Sequence, residues 1–277
     1  ISSVAPEFLS AEARRAQRKD VRNLDTWDLI MRARWHQTKF EKDHNAEAQR
    51  LLRKAIELDA GSALAHSSLA FSHVYDALYG WGESVSGSIA QAAEAAQRAV
   101  SIDDRDSWAQ ATLGRVDLLR NRHRDSVHRL ERAIELNPND PYPHGQLGLT
   151  LGLSGEPDRA AIQVEEALRL SPRDPLKPVW LGTLAITAFY AGRYEEAAER
   201  ATQAIQANPQ HAPSYRILVA SYAALDRKSE TEAALADLMS QQPGLTVTAV
   251  DDQAPPNRDR ADKERYLAAL RKAGLPD

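Results

Sequence analysis

Small and aliphatic residues recur along this chain on a beat of 34. The pairs Ala99-Val100, Ala133-Ile134, Ala167-Leu168 and Ala204-Ile205 are spaced by 34, 34 and 37 residues. Turn residues keep step: Asp104, Pro138, Pro172, Pro209 and Pro243 are separated by 34, 34, 37 and 34. One further copy lies upstream at Ala55-Ile56, with Ala60 in the turn position 44 residues before Asp104. Seven residues before each small residue stands another, giving Ala48, Ala92, Ser126, Ala160 and Ala197, with Thr231 seven before Leu238. Residues seven apart share one helix face, and small side chains there let neighbouring axes approach. The preceding helix of each unit carries Leu113-Gly114, Leu147-Gly148, Leu184-Ala185 or Leu218-Val219 at a matching offset.

This pattern predicts a helix, a turn, a second helix and a second turn, six times over. The first helices are expected at about 24–41, 62–79, 106–119, 140–153, 177–190 and 211–224. The second helices are expected at about 44–58, 86–102, 124–136, 157–170, 194–207 and 228–241. Gly192 sits in the turn between two helices, and Gly155 and Asp226 occupy the same slot, where a left-handed residue ends a helix well. Asn137-Pro138, Ser171-Pro172 and Asn208-Pro209 stop the second helices. The second repeat has ten residues too many, assigned to the inter-helix segment from Tyr79 to Ser84; the fifth has three, assigned to Asp174–Pro178. Residues 5–19 read as one helix whose late part is basic, as suits a helix C-terminus. Residues 242–259 lose the period and read as a linker, and Leu245–Val250 is the only strand-like run. A last helix opens near Asp259 and stops at Gly274 and Pro276, with Tyr266, Leu267 and Leu270 as its apolar stripe; it is the candidate cap for the last apolar face.

A 34-residue helix–turn–helix period resembles the tetratricopeptide (TPR) family over residues 24–243. The resemblance implies an all-α, right-handed TPR solenoid of about six units. It divides the chain into an N-terminal flanking helix (1–23), the solenoid (24–243) and a linker with capping helix (244–277). A narrower likeness rests on Asn23-Leu24-Asp25-Thr26-Trp27-Asp28-Leu29, Leu181-Gly182-Thr183-Leu184, Asp226-Arg227 and the final run from Lys263 to Pro276. These resemble the C-terminal TPR region of bacterial multidomain signalling proteins. In that group a class III adenylate/guanylate cyclase domain or a winged-helix DNA-binding domain comes first, often followed by a small α/β segment whose end the stretch Ile1–Lys19 resembles. With no initiator Met, the chain is expected to be a piece of something longer. The cyclase parent is favoured on overall likeness, and no catalytic residue is carried onto this chain.

Composition narrows the chemistry. With 277 residues, 43% hydrophobic and 27% charged, the chain is neither disordered nor fibrous. It has no cysteine, which removes disulfides, thiol nucleophiles and Cys-based zinc sites. A net charge of −4 gives no general drive toward nucleic acid, and no apolar run is long enough to span a bilayer. Eight histidines are present, but none form His-Glu-x-x-His; His123 and His128 are five apart, and His66 and His73 are seven apart. Asp103-Asp104-Asp106 reads as helix capping and Asp251-Asp252 as solvated linker. Phosphate-binding glycine motifs and a G-x-S-x-G elbow are absent. The expectation is a non-enzymatic, cytoplasmic module with no cofactor and no metal.

Function then rests on a groove lined by the first helices. Counting from each turn residue, its helix-start positions are Trp108, Tyr142, Val179 and Pro213, followed by Ala111, Gly145, Gly182 and Arg216 and then Arg115, Leu149, Ile186 and Ala220. Phe189 and Tyr190 lie deepest in the fifth repeat. Leu118, Leu149, Phe189 and Tyr190 either pack between neighbouring first helices or touch a ligand. Trp108 and Tyr142 read as solvent-facing anchors, and Trp81 either tucks back or anchors a partner. The candidate partner-binding residues are Trp81, Trp108, Arg115, Tyr142, Phe189, Tyr190 and Arg216. The Lys and Asn slots of the TPR subclass that clamps acidic C-terminal tails are not filled here, so the expected occupant is a partner helix or the chain's own last helix. The expected role is a regulatory interaction module binding a protein or another copy of itself. A TPR region of a winged-helix regulator and a structural or oligomerisation spacer are the alternatives.

Overall fold

Alanine and glycine at fixed offsets let consecutive helices close onto each other, and they set the architecture. The computed structural model describes residues 25–277, together with Glu12 and Arg15. The helix expected over residues 5–19 lies outside the described residues apart from those two. Fourteen α-helices, α1 to α14, follow among the described residues. The first eight are Thr26–Gln37, Lys42–Leu58, Ala63–Tyr79, Val85–Ile102, Ser107–Leu119, His123–Leu136, Pro141–Leu153 and Pro157–Leu170. The last six are Lys177–Tyr190, Tyr194–Ala207, Ala212–Ala224, Lys228–Gln241, Val247–Gln253 and Arg260–Lys272. Helices α1 to α12 form the six expected pairs. The chain divides into two compact units, Ile1–Pro143 and His144–Asp277, with the boundary inside α7.

Within each pair the small residues do what their spacing implies. Ala48, Ala92, Ser126, Ala160 and Ala197 are all fully buried, and so are Ala55, Ala99, Ala133, Ala167 and Ala204. A methyl group on Gly148 would press on Val164 and lie 2.9 Å from the carbonyl oxygen of Ala160, so α7 and α8 touch backbone to backbone. The first helices also pack against one another, α1 on α3 and α3 on α5 in the first unit, α9 on α11 in the second. Each unit thus has a first-helix layer and a second-helix layer.

Local chemistry sets the ends. Asp25, Ser62, Ser84, Asp106, Thr246 and Asp259 accept backbone N–H groups at the starts of α1, α3, α4, α5, α13 and α14. Asn137, Ser171 and Asn208 close α6, α8 and α10 just before proline. The turn slot is left-handed at Asn121, Gly155, Gly192 and Asp226, and also at Phe40, with φ 57°. A phenylalanine is costly there, but its ring is buried and stacked 5.5 Å from Tyr75.

Two expectations are corrected. The ten surplus residues are mostly not a loop. They lengthen α3 and α4 to 17 and 18 residues, against 13 and 14 for α5 and α6. The strand-like run Leu245–Val250 is no strand, and the linker is not wholly irregular. Thr246 Oγ1 accepts the Ala249 N–H at 3.1 Å and opens α13, while Leu245, Val247 and Val250 are buried. β-branched residues tolerate a short helix when a cap and burial both favour it.

Candidate protein-binding face

The first-helix layer of the first unit gathers aromatic side chains from α3, α5 and the first turn of α7. Phe71 is the hub: its ring lies 4.6 Å from Tyr75, 5.8 Å from Trp108 and 5.7 Å from Tyr142. Trp108 and Tyr142 are one repeat period apart, hold the same slot on successive first helices, and stack at 4.0 Å. Arg34 of α1 places its guanidinium 4.2 Å above the Trp108 ring, a cation–π contact. Trp108 is half-buried, whereas Tyr142 is only 2% exposed. The solvent-facing position expected for Tyr142 is therefore corrected, because the register that aligns it with Trp108 also covers its ring.

Arg115 stands two turns beyond Trp108 on α5 and is 6% exposed. Burial draws its pKa down to about 10, which still leaves a cation at neutral pH, and the titratable side chains beside it are the phenols of Tyr142 and Tyr75, neutral at that pH. Its Nη1 is enclosed with no hydrogen-bond partner among the described residues, and so is the indole Nε1 of Trp108. Burial pushes the Tyr142 phenol well above its ordinary range. The cluster therefore combines positive charge, enclosed donors and aromatic walls. Buried Asp117 in the same unit, by contrast, is matched: it accepts from Arg122 and from Arg129, the latter at 2.8 Å. Trp81 lies outside this cluster and stacks on Tyr79 at 4.5 Å, half-buried.

In the second unit the same layer is occupied by the chain itself. Helix α14 packs across α11 and α9. Tyr266 puts its ring 5.4 Å from Phe189 and 6.2 Å from Tyr190, all three rings being buried. Arg265 donates to the Tyr190 carbonyl at 2.6 Å. Arg216 donates to Gln242 at 2.8 Å and to Gln253 at 2.7 Å, tying α11 to the ends of α12 and α13. Phe189, Tyr190 and Arg216 are thus brought together, with the C-terminal segment over them. His211 donates to or accepts from Ser214 at 2.7 Å in full burial, and burial with the nearby Arg216 lowers its pKa to about 3. It is a neutral structural imidazole shut off from solvent.

Sequence reasoning missed Arg34, Phe71 and Tyr75. The same offsets counted from Ala60 would have given Phe71 in the slot of Arg115 and Tyr75 in that of Leu119, but the long second repeat hid the register. It also missed the pair His36 and His44, whose Nδ1 atoms lie 2.7 Å apart between α1 and α2, because spacing along one helix cannot show contacts across two. Among the described residues no group of three or more His, Asp or Glu is placed to hold a metal ion, and no helix is long and apolar enough to cross a membrane.

No family model matches the sequence. A Rhizobium meliloti (strain 1021) protein provisionally named adenylate cyclase 3 is 26% identical over 113 residues, 41% of this chain and 19% of that protein. The chain therefore matches less than a fifth of that relative's length. A chain of the APC/C hetero-tetramer Cut9-Hcn1 superposes with a TM-score of 0.64 over 90% of this chain and 46% of its own length, at 14% identity. PilW, a type IV pilus biogenesis factor, gives 0.55 over 76% and 92%, at 14% identity. TTC0263, a thermophilic TPR protein of Thermus thermophilus, gives 0.52 over 73% and 96%, at 21% identity. At such identities the likeness is one of fold. This chain has the tetratricopeptide-repeat fold, an all-α helical repeat.

Proposed function

We propose that this chain is a protein-interaction module whose binding surface is the first-helix face of its first unit. The observation that carries this reading is α14, a helix of the chain itself seated across α9 and α11. It is an instance of the first-helix layer accepting a helix through aromatic packing and a few directed hydrogen bonds. The corresponding layer of the first unit offers half-buried Trp108 as its anchor, backed by the buried rings of Phe71 and Tyr142, and large aromatic side chains dominate the energetics of such contacts. The TPR fold supports the reading, because helical repeats commonly serve as extended binding surfaces.

The finer reading is a regulatory segment of a bacterial, cytoplasmic, cyclase-like signalling protein, in which partner binding positions or gates a catalytic domain elsewhere. The 113-residue match supports it; nothing comparable supports a winged-helix parent. The reading frame upstream in the gene tests that part directly, and a cyclase domain there is the expected result. The interaction itself is tested by panning a random dodecapeptide display library on the full chain. Peptides should be recovered whose affinity falls at least tenfold with Trp108→Ala. Recovery of no peptide, or of peptides indifferent to Trp108→Ala, would sink the assignment.

A further inference from the structure

A guanidinium enclosed in protein without an acceptor is an expensive object. Removing an ion from water costs several kcal/mol even after relaxation, and that cost is offset only by a counter-charge with good geometry. Arg115 meets the first condition and lacks the second: it is 6% exposed, and no carboxylate or carbonyl among the described residues takes a bond from its Nη1. Trp108 Nε1, two turns away on the same helix, is an enclosed donor with the same lack. Arg34 adds a second cation over the Trp108 ring. The chain as a whole is acidic, at −4, so this local excess of positive charge is not a property of its general surface.

We propose that Arg115 and Trp108 form a receptor for a side-chain carboxylate on a partner polypeptide, with the aromatic rings of Phe71 and Tyr142 as the walls of the site. This deepens the binding-face reading and rests on it. A carboxylate matches the fork of a guanidinium with two parallel N–H···O bonds, and such charge-assisted bonds are about twice as strong as neutral ones. The aromatic walls lower the local dielectric and select apolar residues on either side of the acid. Half-buried Trp108 is the edge at which the cluster meets solvent, and hence the place where the acid enters.

The same panning experiment separates the two claims when the displayed peptides are N-terminal fusions, which present no free C-terminus. The recovered peptides should share an Asp or Glu flanked by apolar residues. Synthetic copies with that acid changed to Asn or Gln should bind the unaltered chain at least tenfold more weakly, or about 1.4 kcal/mol. Arg115→Met should lose the same factor and make the acid-to-amide change neutral. In the free chain Arg115→Met should melt no lower than the parent, because an apolar side chain of similar length replaces an unmatched charge. Peptides without a shared acid, amide copies that bind equally well, or a Met variant that melts several degrees lower would each overturn the carboxylate site while leaving the binding face standing. Recovery of no peptide at all would remove both.

Discussion

Gly192 takes φ 76° in the turn before α10, and nothing lies within 4 Å of where its Cβ would stand. Gly192→Ala therefore tests backbone strain alone and should lower stability by about 1 kcal/mol, read from the urea midpoint. Gly148 has the opposite problem: an ordinary helical backbone with no room for a methyl beside Val164 and Ala160. Gly148→Ala should cost about 1–3 kcal/mol through forced separation of α7 and α8. Ionisation at His211 gives a pH signature. Burial, with Arg216 adding to it, holds the folded pKa near 3, below the ordinary 6.5. Between those values the unfolded chain binds a proton that the folded chain refuses, so stability falls as pH drops through 6.5 and the loss levels off near 3. His211→Asn removes that component. Its stability relative to the parent should rise by up to roughly 1 kcal/mol per pH unit between pH 6 and pH 4, measured by urea titration at each pH.

At the scale of elements, α14 has the most consequence. Its amphipathic stripe of Tyr266, Leu267 and Leu270 is buried against first helices, and Lys272 pairs with Asp226 at 2.6 Å at its far end. Backbone also closes the segment, since the Val247 N–H donates to the Pro276 carbonyl at 2.7 Å. Helix α14 therefore does more than cover the last pair, the role its sequence position suggested; it lies across two first helices, α9 and α11. Tyr266→Ala should cost about 3 kcal/mol. Fluorescence of a background that keeps Trp180 alone among the five tryptophans reports it, because Trp180 is the one tryptophan in the second unit. Ending the chain at residue 257 should uncover Phe189 and Tyr190 and bring on binding of an apolar dye.

For the whole molecule, stability in a repeat fold is close to a sum of local terms and nearest-neighbour contacts. Damage in one unit is expected to stay mostly there. Tyr266→Ala should reduce amide protection in α9 to α12 more than in α3 and α5, as followed by hydrogen exchange; equal loss throughout would mean that the two units unfold as one. The first unit carries its energy in a polar as well as an aromatic layer. Gln37 donates to Ser68 and Ser72, and Asn45 and Gln49 donate to Asp76, each at 2.7–2.8 Å. These bonds tie α1 and α2 onto α3.

The 34-residue period alone determined the helical repeat and most helix bounds: α8, α9, α10 and α12 run over the residues that the turn signals marked. Caps, stops and small-residue crossings are decided by residues within a turn or two of one another, and local information of that kind is written along the chain. Tertiary structure decided the rest. Arg34, Phe71, Trp108 and Tyr142 come from four different helices, and no period records which side chains of separate helices will share a site. The last helix could have covered an end, bound another copy or folded back, and its stripe of three apolar residues suits each. Only the packed fold shows that Phe189 and Tyr190 lie under Tyr266 while Arg115 Nη1 is enclosed without an acceptor among the described residues.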